Sequence, residues 1–306
     1  MASSIAPSTI KQYNCSLKAW WKFSKFNNID TYGASSKQVL SFLNEEFQKG
    51  ASYSSLNCSR SALSLILSPN VGTDCDIKRF FRGVMHLRPH RPRYDTTWDP
   101  RIVLDFLCTL YPNQNLSLEK LTMKLATSLA LISAHRVQTL SLIKITNITH
   151  LQEGLEIRIT DKTKTSRFNK ALPVLRIPFF SENIKLCVAN TLLSYLEKTK
   201  PLRGSIDYLF ICHRKPHCKA SCQSISRWIK KTLQLSGVDT DIYKAHSTRH
   251  ASTSAALRSG IPLDTIIATA GWSRDSQTFA KFYNRPLGRS KNVYPECILG
   301  LQACNV

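Results

Sequence analysis

The sequence predicts a mainly α-helical protein with a small β-sheet, divided into an N-terminal helical domain and a larger mixed α/β domain. Apolar residues recur at spacings of three and four along most of the chain, which is typical of amphipathic helices. Two short segments near the middle instead alternate apolar and polar residues, as half-buried strands do. With 306 residues, 42% of them hydrophobic, the chain is long enough to form two packed cores.

The charge of the chain indicates a nucleic-acid partner. Lys and Arg number 42 against 20 Asp and Glu, which gives a net charge of +22, and such an excess binds polyphosphate through counterion release. A ribosomal component or a membrane-surface protein would also be basic. The most apolar run, residues 125–134, is too short to span a bilayer, and no secretory signal opens the sequence, so we expect an intracellular protein without a membrane segment.

The first 87 residues predict a bundle of four short helices. Ser35 and Ser36 are candidate N-caps of the second helix, and Gly50 follows its end. Aromatic side chains fall on the apolar stripes, so we expect them in the core rather than stacked on bases. The four stripes comprise Ile10, Tyr13, Leu17, Trp20 and Trp21; Val39, Leu40, Leu43 and Phe47; Leu56, Leu63 and Leu67; and Ile77, Phe80, Phe81 and Val84.

Residues 88–95 are predicted to link the two domains. They begin RPHRPR, in which two prolines forbid a regular helix and the arginines cannot be buried without partners. The segment is either a solvated spacer or a basic strap along a phosphate backbone, and the overall charge favours the strap, with Arg91 and Arg93 as contacts. We expect the linker to join two domains that close around duplex DNA as a clamp.

The second domain, residues 96–306, opens with a helical stripe behind Ser117, and Arg136 lies four residues beyond Ile132 on the same predicted face. Residues 155–160 and 172–179 are predicted strands, and residues 161–170 form the tip of the hairpin between them. That tip is either a solvated basic turn or a device that inserts a lysine beside a phosphate. The stripe comprises Leu118, Leu121, Leu125, Leu129 and Ile132, and the tip carries Lys162, Lys164, Arg167 and Lys170.

The last hundred residues carry most of the remaining candidate functional side chains. A predicted helix from Ser224 carries Arg227, Lys230 and Lys231, each as able to touch a backbone phosphate as to be merely solvated. His246 and Arg249 share a helix face at i and i+3, and Trp272 and Tyr283 follow them.

The chain has ten cysteines without a repeating pattern, which suits a reducing compartment. One group, Cys212, His213, His217, Cys218 and Cys222, lacks paired CxxC spacing, so we expect neither a metal nor a cofactor.

The ordered set of Arg136, a hairpin lysine, His246-x-x-Arg249, Trp272 and Tyr283 resembles the tyrosine recombinases of the phage integrase superfamily. The local sequences KTSR at 164–167, SRWI at 226–229 and FYNRP at 282–286 look most like the Crypton-type recombinases of eukaryotic transposons. Two positions depart from the common pattern. Thr139 replaces an acidic residue that often follows the first arginine, and Trp272 stands where a second histidine is usual, although an indole also donates a hydrogen bond.

The resemblance implies cleavage and rejoining of DNA through a 3′-phosphotyrosyl intermediate on Tyr283, without ATP or metal. Arg136 and Arg249 would clamp the phosphate. His246 would accept the proton of the tyrosine hydroxyl or bind the phosphate. Trp272 would donate a hydrogen bond to the phosphate. Lys164, in preference to Lys162, would protonate the leaving oxygen.

The same resemblance implies a helical core-binding domain before the catalytic domain, duplex DNA as partner, a dimer or tetramer on DNA, a nuclear location, and integration or excision of a mobile element. The apolar residues 297–301 would dock on a neighbouring subunit or on their own domain. Relaxation of DNA by a type IB topoisomerase and a domesticated DNA-binding protein without catalysis stay open as alternatives. The expected DNA contacts are Arg91, Arg93, Lys162, Arg167 and Arg227.

Overall fold

The computed structural model describes residues 5–67, 69–89, 93–163, 166, 172–273 and 277–287. The chain forms two compact units, Met1–Pro92 and Arg93–Val306.

The first unit is a bundle of the four predicted helices, α1 (Pro7–Phe26), α2 (Ser36–Gln48), α3 (Tyr53–Leu63) and α4 (Cys75–Leu87). Ser35 caps α2 in a capping box with Gln38, as the sequence predicted. Trp20 is buried, whereas Trp21 is 54% exposed, because adjacent positions of a helix cannot both face one core. Leu67 is buried although α3 ends before it.

Arg88 contacts the bundle through its side chain. Its guanidinium donates to the carbonyl oxygens of Phe47 at 2.8 Å and Ala51 at 3.1 Å, and its Cζ lies 3.9 Å from the centroid of the Phe47 ring. The Arg88 guanidinium at the end of α4 is thus satisfied by two carbonyl oxygens and an aromatic ring, so the first residue of the expected linker packs on the bundle. Arg91 lies outside the described residues.

The second unit combines helices with one sheet. The helices are α5 (Pro100–Thr109), α6 (Leu118–Ser133), α7 (Val137–Ser141), α8 (Val188–Thr199), α9 (Cys222–Leu235), α10 (Ser247–Arg258) and α11 (Leu263–Thr269). The strands β1 (Ile148–Leu151), β2 (Gly154–Arg158) and β3 (Val174–Pro178) form an antiparallel sheet in the order β1-β2-β3. Leu155 pairs with Ile177 and Ile157 with Leu175, and all four side chains enter the core. The expected mainly α fold with a small sheet is confirmed.

Helix α6 runs through the core of this unit. Lys124, on α6, is 1% exposed, and its Nζ donates to the carbonyl oxygen of Leu110 at 2.7 Å and to Oδ1 of Asn113 at 2.9 Å. Ala134, in the left-handed conformation with φ 49°, ends the helix. The expectation that Arg136 continues the apolar stripe was therefore wrong: Ile132 is exposed, and Arg136 is instead the N-cap residue of α7.

None of the helices in these described ranges combines the length and apolarity needed to cross a membrane.

Candidate active site

Four local structures bring functional side chains together in the second unit. Arg136 precedes α7, the first turn of α10 supplies His246 and Arg249, Trp272 follows α11, and Tyr283 ends a wide helical turn, Phe279–Tyr283. A cavity of about 210 Å³ is lined by three of these side chains, Arg136, Arg249 and Trp272, but not by His246 or Tyr283. It is lined by His135, Arg136, Thr139, Thr163, Ser166, Leu172, Pro173, Val174, Arg249, Ala268, Ala270, Gly271 and Trp272.

Tyr283 is hydrogen-bonded to His246. Its hydroxyl lies 2.9 Å from Nε2 of His246, and the tyrosine is buried at 7% exposure. Burial, followed by the charges of Arg249, Arg136 and Arg93, lowers the pKa of His246 to about 4. The surface of His246 is exposed, so water screens these charges, but an imidazole of ordinary pKa is also mostly neutral at pH 7. A neutral Nε2 can accept the proton of the tyrosine hydroxyl.

Arg249 is a buried cation that no carboxylate neutralises among the described residues. It is 1% exposed, donates to the carbonyl oxygen of Ala270 at 3.1 Å, and places its Cζ 4.7 Å from the ring of Trp272 and 5.3 Å from that of Tyr283. Burial, above all, lowers its pKa to about 10. A buried guanidinium without a counter-ion is costly, so this site is suited to receive an anion.

A side-chain donor without a partner among the described residues lies beside Arg249. Nε1 of Trp272 is buried and has no hydrogen-bond partner within the described parts of the chain. Gly271, with φ 67°, precedes it, and a Cβ there would come within 3.2 Å of Nε2 of His135. The glycine therefore allows the backbone just before Trp272 to lie close to the ring of His135, which also lines the cavity.

The backbone around Tyr283 is fastened to α10 by one hydroxyl. Oγ of Ser254 donates to the carbonyl oxygen of Tyr283 at 2.7 Å and accepts from the backbone N–H of Arg285 at 3.0 Å. Ser254 lies on the same helix as Arg249, so the tyrosine and the arginine share one support.

The hairpin between β2 and β3 reaches the cavity through Thr163 and Ser166. Its base is held by Asp161, which accepts from Nζ of Lys144 at 2.8 Å and from the hydroxyl of Tyr208 at 3.2 Å. Lys162 is exposed. Lys164 and Arg167 lie outside the described residues, and so do residues 297–301.

Sequence reasoning missed His250. Its ring stacks on that of Tyr283, with centroids 4.3 Å apart and an interplanar angle of 22°. Burial, above all, lowers its pKa to about 3, and its Nδ1 has no partner among the described atoms. A signal was present, because His250 follows His246 by four positions and so lies on the same side of the helix.

Two of the expected DNA contacts fall in different surroundings. Arg93 is exposed and near the site, since its charge helps to lower the pKa of His246. Arg227, also exposed, lines a separate cavity of about 360 Å³ together with Arg214 and Lys231.

The cysteine and histidine group considered as a metal site is split among separate contacts. Cys212 and Cys218 bring their sulfurs to 3.5 Å, Cys222 contacts the hydroxyl of Ser141 at 2.9 Å, and His213 packs its ring against Trp228.

Comparison with known proteins places the chain in a family. The model of the phage integrase family matches residues 104–287. XerH site-specific recombinase, in a post-cleavage complex with a palindromic difH substrate, is 14% identical with a TM-score of 0.60, over 96% of this chain and 78% of that one. A lambda integrase dimer bound to a COC′ core site is 16% identical with a TM-score of 0.58, over 94% of this chain and 74% of that one. The Tn1549 transposon integrase in complex with circular intermediate DNA is 13% identical with a TM-score of 0.51, over 87% of this chain and 85% of that one.

These likenesses establish the fold. A search of curated proteins found no match.

Proposed function

The chain belongs to the phage integrase family of tyrosine recombinases, and from this premise we propose that Tyr283 is the nucleophile of a site-specific DNA recombinase. The observation that carries the proposal is the buried Arg249, which has no carboxylate partner among the described residues and lies against the ring of Tyr283. A phosphodiester bound there would supply the missing negative charge beside a tyrosine hydroxyl that already contacts a neutral histidine.

Each group of the site then has a task. Oη of Tyr283 attacks the phosphorus and its proton passes to Nε2 of His246, while the 5′-oxygen leaves. Arg136 and Arg249 bind the non-bridging oxygens, on which negative charge grows in the five-coordinate transition state. The free Nε1 of Trp272 donates to one of the same oxygens. Attack of a 5′-hydroxyl on the phosphotyrosine reverses the step and rejoins the strand.

The leaving oxygen requires a proton, and we assign its delivery to Lys164. The support is the position of Thr163 and Ser166, which flank the lysine in sequence and line the cavity that Arg249 also lines. An ammonium group on a long stem can reach into such a cavity and release its proton when it is desolvated.

We assign duplex DNA as the substrate and a dimer or tetramer as the active assembly. The net charge of +22 supports the first assignment, with Arg91, Arg93, Lys162, Arg167 and Arg227 as expected phosphate contacts. The printed descriptions of related structures support the second, since lambda integrase was solved as a dimer on a core site and as a tetramer on a Holliday junction. In this proposal residues 1–87 form the core-binding domain and residues 96–306 the catalytic domain.

The biological role we propose is integration or excision of a mobile element of the Crypton type, acting in the nucleus. The support is the local sequence resemblance at residues 164–167, 226–229 and 282–286.

The test uses a pool of DNA duplexes that are nicked in one strand and randomised in sequence around the nick. Cleavage beside the nick releases a short fragment and traps the protein on DNA, so a covalent band survives denaturing electrophoresis. The wild-type chain should form this adduct, and Tyr283→Phe should form none while its DNA affinity stays unchanged, because only the nucleophilic oxygen is lost.

An adduct that persists in Tyr283→Phe would overturn the assignment. Absence of any wild-type adduct across the pool would instead favour a DNA-binding protein without catalysis. Sequencing of the trapped DNA separates the remaining alternatives: paired, inverted sites indicate a recombinase, and single sites with relaxation of supercoiled plasmid by one subunit indicate a topoisomerase.

A further inference from the structure

The ring of Tyr283 is held on one face by a residue that does not touch its reactive oxygen. His250, 7% exposed, stacks on that ring at 4.3 Å between centroids, while the tyrosine hydroxyl is engaged by His246. Nδ1 of His250 is buried without a hydrogen-bond partner in the described part of the structure. His250 thus presents the flat face of its ring to Tyr283, and stacked aromatic pairs of this kind are stabilising; a hydrogen bond with the backbone of Phe282 acts on the same imidazole.

His250 is in turn supported by the first residues of the catalytic unit. Tyr94, which is buried, packs its ring against His250 with centroids 5.0 Å apart and an interplanar angle of 79°. The hydroxyl of Tyr94 accepts from the backbone N–H of Lys244 at 3.3 Å. The imidazole is thus enclosed between two tyrosine rings, one at the start of the unit and one at the reaction centre.

The same short segment also contacts the chain immediately beyond the nucleophile. The backbone N–H of Thr97 donates to the carbonyl oxygen of Pro286 at 2.8 Å, and Thr97 forms a parallel bridge with Leu287. Nε1 of Trp98 donates to the hydroxyl of Ser247, at the start of α10, at 2.9 Å. Residues 94–98 therefore connect the first turn of α10 with the segment that follows Tyr283.

We infer that His250 and residues 94–98 form a positioning assembly for the nucleophile, in which Tyr94 acts through His250 to fix the ring of Tyr283. This inference rests on the proposed role of Tyr283. The assembly limits rotation of the phenol ring, so that its oxygen stays on Nε2 of His246 and in line with a bound phosphate. Such alignment affects the rate of attack, since small displacements of a reacting group are costly, and it leaves DNA affinity alone.

The test compares ring removal with ring retention at both positions. The rate of adduct formation on the randomised nicked pool and the affinity for the same DNA are measured for His250→Ala, His250→Phe, Tyr94→Ala and Tyr94→Phe. Each alanine variant should slow adduct formation by about tenfold or more without a change in affinity. Each phenylalanine variant keeps a flat ring and should stay within about threefold of the wild-type rate.

Leu192→Ala is the matched control for loss of core packing. Leu192 is fully buried on α8 in a hydrophobic cluster separate from that of Tyr283. Its truncation should lower thermal stability at least as much as His250→Ala while the cleavage rate is kept. If this variant slows cleavage equally, the effect at His250 reflects general packing and the inference fails.

Other outcomes separate the inference from the proposed function. Wild-type rates in both alanine variants, with Tyr283→Phe inactive, would overturn the positioning assembly and leave the nucleophile in place. Equal losses in His250→Phe and His250→Ala would show that the ring face is not what matters, which also overturns it. An adduct in Tyr283→Phe would overturn the proposed function itself.

Discussion

Replacement of Arg249 by methionine should stabilise the free protein while it removes cleavage. The pKa of Arg249 falls by more than two units, to about 10, with burial as the largest cause. At about 1.4 kcal/mol per pKa unit, holding the guanidinium charged in the fold costs about 3 kcal/mol relative to the unfolded chain. The arginine is protonated in both states at pH 7, so this cost is fully present there and is relieved only as the pH rises above 10.

Methionine removes that cost and also some favourable contacts. The hydrogen bond to the carbonyl oxygen of Ala270 contributes about 1 kcal/mol, and the approach to the rings of Trp272 and Tyr283 contributes about as much again. The free energy of unfolding of Arg249→Met should therefore exceed that of the wild type by about 1 kcal/mol. Adduct formation should fall by at least about a hundredfold, because a preorganised donor to the phosphate is lost.

The assay is urea unfolding of the full chain, followed by pulsed hydrogen exchange of peptides from α10, which reports the catalytic unit separately from the bundle. Arg258→Met is the control, since it makes the same substitution at an exposed position of the same helix and should change stability by no more than about 0.5 kcal/mol. Inorganic phosphate, compared with chloride at equal ionic strength, should stabilise the wild type more than Arg249→Met. A loss of 2 kcal/mol or so in Arg249→Met, together with no phosphate effect, would refute the anion site and make the arginine structural.

Three further outcomes are expected. Lys164→Ala should cleave ordinary DNA slowly and regain its rate when sulfur replaces the leaving oxygen, because a thiolate departs without a proton. The same rescue in Lys162→Ala instead would assign proton delivery to Lys162. Adduct formation should continue in EDTA, because Arg136 and Arg249 meet the transition-state charge, and restoration by added magnesium or zinc after a loss would contradict this. Burial lowers the pKa of Lys124 to about 8, so unfolding binds a proton between pH 8 and 10.5 and the free energy of unfolding rises with pH in that window. Urea titrations of the wild type should therefore show a gain of about 2 kcal/mol from pH 8 to 10. Lys124→Met should lack this gain.

Local patterns predicted most helices of this chain and two of its strands, and they failed where no residue type marks the local structure. Ala134 ends α6 in a left-handed conformation that glycine usually signals, so the sequence offered no reason to separate Arg136 from the preceding stripe. Strand β1 was missed because three of its four side chains are exposed, which leaves no alternation to detect.

The site illustrates the same limit at longer range. Order and residue type singled out His246 and Tyr283, but the hydrogen bond between them spans 37 positions and depends on how α10 packs against the last described turn. His250 escaped notice although it follows His246 by four positions, because that spacing alone does not show which ring it packs against. Its role is visible only when the ring of Tyr283 is seen against it.

The fastening of Tyr283 by Ser254 has a consequence for how several copies would work together. Because one hydroxyl on α10 holds the carbonyl oxygen of Tyr283 and the backbone N–H of Arg285, each subunit fastens the proposed nucleophile to the same helix that carries Arg249, the proposed phosphate contact. Under the proposed function, a neighbour would have to break those two hydrogen bonds before it could supply its tyrosine to another subunit. We therefore expect a copy without Tyr283 and a copy without Arg249 to complement each other poorly when they are mixed in one assembly.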